Sequence, residues 1–198
     1  MLIAASYLID RMRQPRSRAD EAMSLRQRLS DQPPAERVGA EEAERARELR
    51  SLREEMSRAI GDVQSCRTCA VGHPAPHGHF AGGHCCGLET KDAFNDDEMA
   101  ALRQAGTVAA NLRLPKGDHA GCAFRGPQGC SLNAPNRPNL CLRYVCPQLA
   151  RELATRGDLD AIEALGTKME TAYLRFITLR RERLDAEEAE AERKLDRR

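Results

Sequence analysis

"PAERVGAEEAERARELRSLREEMSRAIGDVQS", residues 34–65, is dominated by Ala, Glu and Arg, residues that enter a helix at little cost. Within it Leu49, Leu52, Met56, Ala59 and Val63 recur at spacings of three and four, so one helical face is apolar. A matching stripe lies near the other end of the chain. Ile162, Leu165, Met169, Ala172, Phe176 and Leu179 share a face of a helix expected to start near Asp158. Two such helices set the fold class as mainly α. The stripes can pack on each other within the chain or build a coiled-coil dimer with a second copy. Each lasts about two to three heptads, less than a firm coiled-coil assignment requires.

The N-terminal side adds "RADEAMSLRQRLSD" (18–31), which reads as a helix that Pro33-Pro34 breaks. The end of the chain, "RRERLDAEEAEAERKLDRR" (180–198), is nearly all charged and reads as a solvated helix end or a frayed terminus. The opening "MLIAASYLIDRMRQPR" (1–16) has an apolar run followed, rather than preceded, by basic residues. That is the wrong order for a secretory signal, and the run is too short for a membrane span. A short amphipathic helix is expected there, and the cytoplasm is the expected compartment.

Charge narrows the choice of partners. Residues 1–65 carry 12 basic and 12 acidic groups, 66–146 carry 8 and 6, and 147–198 carry 11 and 12. No segment has the basic surplus that a phosphate backbone demands, so nucleic acid is not expected.

All eight cysteines and all five histidines fall between Cys66 and Cys146. This divides the chain into a helical N-terminal arm (1–65), a Cys/His-rich module (66–149) and a helical C-terminal arm with a charged tail (150–198). The module is rich in Gly and Pro. One helix is expected in it, "NDDEMAALRQAG", with Asn95 or Asp96 as N-cap and Gly106 at the stop. A loop-rich module needs staples to hold one shape, and the cysteines are the candidates. Reduced thiols in the cytoplasm favour metal over disulfides. Cys66 and Cys69 form a CxxC knuckle, whose two thiolates can reach one tetrahedral ion. Cys85 and Cys86 are adjacent, so their side chains diverge towards two ions or two faces of a cluster. Cys122, Cys130, Cys141 and Cys146 are separated by seven, ten and four residues, which is not the pattern of a zinc ribbon.

The order CxxC, CC, a helix, Cys and then "GCSLNAPNRPNLCLRYVC" (129–146) resembles the YkgJ-like cysteine-cluster family. The match is closest at Gly129-Cys130, Arg137-Pro138, Cys141, Tyr144 and Cys146, and it covers roughly residues 66–149. The resemblance implies a zinc- or iron-chelating domain with Cys66, Cys69, Cys85, Cys86, Cys122, Cys130, Cys141 and Cys146 as ligands. This chain departs from the family in one place. Fifteen residues, Ala70 to His84, separate the knuckle from the CC pair, where the family has a much shorter gap. The insertion holds His73, His77, His79 and His84. A solvated surface loop is the plain reading of these histidines, and His79 and His84 are the candidates for additional metal ligands. His119 reads as a loop histidine or a donor to a ligand.

Soft thiolates suit zinc and iron–sulfur clusters alike. Zinc is preferred, since it needs no assembly machinery and histidines are abundant nearby. The expected function is a non-catalytic adaptor or subunit that docks to a protein partner, or to a second copy, through its helical arms. Two other functions stay open. One is a metal-dependent or iron–sulfur protein-modification enzyme or its accessory protein, since related cysteine clusters are associated with lysine methylation. The other is metal storage or delivery. No Gly-rich strand–turn–helix and no HEXXH pattern accompanies the cysteines. Glu89 and Asp92 are candidates to orient ligands or a water, although a solvated helix start explains them too.

Overall fold

The structure, a computed structural model, describes residues 18–68, 90–115, 122–126 and 129–197. In chain order these form α1 (Arg18–Asp31), α2 (Ala40–Ile60), α3 (Gln64–Thr68), α4 (Thr90–Ala93) and α5 (Asp96–Gln104). A hairpin of β1 (Arg125–Gly126) and β2 (Gly129–Cys130) follows, then α6 (Asn139–Arg143), α7 (Pro147–Arg156) and α8 (Leu159–Asp196). The fold is mainly helical, and no described helix is long and apolar enough to cross a membrane. The expected helix at residues 1–16 lies outside the described residues.

The two apolar stripes face each other within the chain. Leu49, Met56 and Val63 share a core with Ile162, Leu165, Met169, Ala172 and Phe176, each large side chain contributing roughly 1.5–3 kcal/mol by leaving water. The helices run antiparallel. Arg183 of α8 donates to Glu42 at the start of α2 (Nε to Oε2, 2.8 Å), whereas a Cβ added at Gly166 would lie 3.9 Å from Met56 Cε further along α2. With a rise of about 1.5 Å per residue, α8 outruns α2. Its last turns are exposed and charged, so the solvated helix end, rather than a frayed terminus, is the outcome.

α5, α6 and α7 close this core with Ala100, Ala101, Leu142, Leu149 and Leu153. A second, smaller core lies beneath the cysteine-bearing segment. Leu25 and Leu29 of α1 meet Phe94, Met99, Leu102, Leu112, Phe124 and Leu132 there, and the Phe94 and Phe124 rings meet tilted by 51°, 5.3 Å between centroids. The sequence reading of this segment as loop dependent on staples underrated that core. Of its residues, Leu112, Phe124 and Leu132 come singly, outside the helices, and carry no period.

The local signals were otherwise read directly. Asn95 caps α5, its Oδ1 accepting from Glu98 N at 2.9 Å. Gly106 stops that helix at φ +88°, and Thr107 N reaches back to Leu102 O at 2.9 Å, the bond of a Schellman stop.

One buried polar group ties three helices together. Arg53 of α2 is 0% exposed. Its Nε donates to Asn139 Oδ1 at 3.0 Å, and its Nη2 lies 3.6 Å from Glu98 Oε2. Asn139, the first residue of α6, in turn donates from its backbone N to Glu98 Oε1 (3.0 Å) and from Nδ2 to Glu98 Oε2 (3.1 Å). Burial pushes the Glu98 carboxyl above the ordinary range, and Arg53 and Asn139 oppose that push.

Candidate metal centre

The described cysteines are Cys66, Cys122, Cys130, Cys141 and Cys146, with no disulfide between any two of them. Cys69, Cys85, Cys86, His79 and His84 lie outside the described residues, as do His73, His77, His119 and Glu89. Asp92 is exposed on α4.

Cys122 and Cys130 come together through the hairpin. Arg125 pairs with Cys130 and Gly126 with Gly129, Arg125 N donates back to Cys122 O at 3.0 Å, and Ser131 N donates to Phe124 O at 2.9 Å. Two glycines permit this tight return. Gly129 sits at φ +112°, and a Cβ at Gly126 would meet Pro115 Cβ at 2.8 Å. Burial pushes the Cys122 thiol up to about 11, and neighbouring Cys130 adds to the rise. Phe124 N–H and Thr90 hydroxyl bonds act the other way. Thr90 Oγ1 accepts from Ala123 N at 2.9 Å and donates to Glu21 Oε2 at 2.6 Å. The start of α4 is thereby bonded to the residue beside Cys122 and to α1.

The knuckle segment is tied to the same hairpin. Arg125, buried on β1, donates from Nη2 to the backbone oxygen of Cys66 at 3.2 Å, while its own carbonyl accepts from Arg18 Nη2 at 3.0 Å. On the other side, the Glu152 carboxylate of α7 accepts from Gln64 N and Ser65 N, both at 2.8 Å. These backbone bonds hold the Glu152 carboxyl below its ordinary range. Glu152 thus supplies, from another helix, the cap that α3 lacks in its own sequence.

The last two cysteines border different cores. Cys141 sits on α6 against the smaller core and Cys146 against the larger. Cys146 is the N-cap of α7, its sulfur accepting from Leu149 N at 3.4 Å, with Pro147 at the first helical position, where its missing N–H costs nothing. Among the described residues, no three His, Cys, Asp or Glu side chains form a group that could hold a metal ion. The described donors amount to one close thiol pair, Cys122 with Cys130, and a third cysteine whose backbone is bonded to the pair's hairpin.

Sequence reasoning passed over Arg125, Thr90 and Glu152. Thr90 has no pattern of its own. Arg125 stood only in the tally of charges. Glu152 sits one position before buried Leu153 on α7, which is consistent with a side chain turned along the helix–helix contact. Comparison of the chain with protein-family models, with curated proteins and with solved structures gives no match.

Proposed function

We propose that this chain is a metal-binding cysteine-cluster protein of the YkgJ-like kind, with zinc the preferred metal and an iron–sulfur cluster the other. The observation that carries the reading is the meeting of two segments at one hairpin: Cys122 and Cys130 lie together there, and the backbone of Cys66 is bonded to it through Arg125. In the sequence Cys69 follows Cys66 by three positions and Cys86 precedes Thr90 by four, so the remaining donors flank anchored points. A purely thiol donor set of this kind is soft and suits either metal. Bound there, a metal would add a cross-link between the hairpin, which already packs on the smaller core, and the short helix that bears Cys66.

In this reading the protein is a non-catalytic adaptor or subunit. The apolar stripes of α2 and α8 are occupied by one another, so docking to a protein partner falls to the outer face and free end of α8, where Leu184 and Leu195 are exposed. The deciding experiment is metal analysis with an absorption spectrum, on protein purified without oxygen and without a metal-binding tag. Zinc at one or two per chain with no visible absorption supports a structural site. Iron matched by sulfide, with broad visible thiolate-to-iron bands, makes the centre a cluster. Protein that holds neither overturns the reading.

A further inference from the structure

We infer that Cys122 and Cys130 are a dithiol–disulfide couple, oxidised to a bond across the hairpin by a small disulfide such as oxidised glutathione and restored by a thiol. The inference stands apart from the metal-binding reading and goes beyond it.

The hairpin brings the two residues to one place. Ser131 N donates to Phe124 O at 2.9 Å, which makes Phe124 and Ser131 a hydrogen-bonded pair of the ladder. Arg125 and Cys130 are the next pair towards the turn. They are therefore of the non-hydrogen-bonded type, in which the Cα atoms are only about 4.5 Å apart and the side chains share a face. Cys122 lies one turn earlier. Arg125 N donates to Cys122 O at 3.0 Å, the closing bond of a β-turn, whose ends are less than about 7 Å apart. Two short steps through Arg125 thus separate the cysteines, on the scale of the ~4.4–6.8 Å that a disulfide spans between Cα atoms. The side chains also share surroundings. Both pack against the smaller core, both are half-buried, and Cys130 is near enough to oppose ionisation of the Cys122 thiol. The other described cysteines are placed less well. Cys146 borders the larger core, Cys141 stands on α6, and Cys66 reaches the hairpin through its backbone oxygen.

The chemistry is thiol–disulfide exchange. One cysteine, as thiolate, attacks a sulfur of oxidised glutathione and expels one glutathione thiolate, leaving a mixed disulfide. The second, as thiolate, attacks the protein sulfur of that bond and expels the other. The protein gives up two protons and two electrons, one S–S bond forms within it, and one oxidised glutathione becomes two reduced ones. The second attack closes a short loop within the chain, so the mixed disulfide does not accumulate.

The test uses the full-length protein, reduced, stripped of metal with EDTA, and equilibrated with glutathione mixtures from wholly reduced to wholly oxidised. Acid quenching, alkylation and peptide mapping by mass spectrometry then identify the pairings. The expected result is the loss of two alkylatable thiols, Cys122 and Cys130, with the peptides that carry them linked. Both should return on adding excess reduced glutathione. In Cys122→Ser, Cys130 should accumulate instead as its glutathione adduct. Three results overturn the inference. Both cysteines stay alkylatable throughout, either one ends as a glutathione adduct or paired with a different cysteine, or the same link forms equally well in urea, where the fold selects nothing. None of these touches the metal-binding reading, which the metal content of the protein as isolated decides.

Discussion

Replacing Arg53 by Met should destabilise the protein by about 3–5 kcal/mol, the cost of leaving a buried charge without its partner. The structure sets up that figure. Arg53 is 0% exposed, and its Nη2 lies 3.6 Å from Glu98 Oε2. At an effective dielectric of about 20, two unit charges at that distance attract by roughly 4–5 kcal/mol. Methionine fills part of the volume but leaves Glu98 with only the uncharged donors of Asn139 and Leu140, so the carboxylate either stays charged without a counter-ion or takes up a proton. Glu98→Gln is expected to cost a comparable amount, because it strands the guanidinium and places an amide N–H₂ against the donors of Asn139. The double variant should cost less than the sum of the two by up to about 3 kcal/mol, since each single change already forfeits the shared interaction. Urea unfolding followed by far-ultraviolet circular dichroism measures all three. With total stability of about 5–15 kcal/mol in a domain of this kind, a loss of this size moves the midpoint far outside error. An Arg53→Met protein within about 0.5 kcal/mol of wild type, or a strictly additive cycle, would refute the claim that this pair holds α2, α5 and α6 together.

Gly126→Ala should destabilise by roughly 1–3 kcal/mol through overpacking, since its Cβ would lie 2.8 Å from Pro115 Cβ; thermal melting tests this, and an unchanged melt would show that the hairpin has room. The cap that Glu152 places on α3 should depend on pH. The folded carboxyl is held below its ordinary value of 4.5 by the backbone N–H groups of Ser65 and Gln64, so its contribution is present above that pH and is lost as pH falls through the lower folded value. The amide resonances of Gln64 and Ser65 should follow that titration, and a Glu152 midpoint at or above 4.5 would contradict the bonding described. For metal content, Cys141→Ser and Cys146→Ser are each expected to lose bound metal, whereas joint replacement of His73, His77, His79 and His84 should leave the thiolate-bound metal in place. Elemental analysis decides both, and full metal in the two cysteine variants would remove those positions from the ligand set.

The helices were legible because a stripe such as Leu49, Met56 and Val63 repeats at the helical period and its partner stripe repeats likewise, so burial of one by the other leaves a periodic trace. Arg53 left none, yet it lies four residues after Leu49 and three before Met56, on the buried side of that stripe. A charged residue type set among apolar neighbours carries no signal of its own burial. The cysteine pattern had the opposite weakness. It gave eight thiols but not which of them lie near one another, because the links between the described segments are a short hairpin, a buried arginine and a carboxylate on a distant helix, none of which has periodicity.

The smaller core joins these two levels. Leu25 and Leu29 come from the N-terminal arm, Phe94 and Phe124 from the segment between the cysteines, and Cys122, Cys130 and Cys141 pack against the same cluster. The boundary that composition draws after residue 65 is therefore crossed by the apolar packing that positions the thiols. A change such as Leu29→Ala, made in a helix with no cysteine of its own, removes buried surface from the cluster on which the thiol pair packs and is expected to cost about 2–5 kcal/mol, read by urea unfolding. In this architecture the helical arm is part of what holds Cys122 and Cys130 in place.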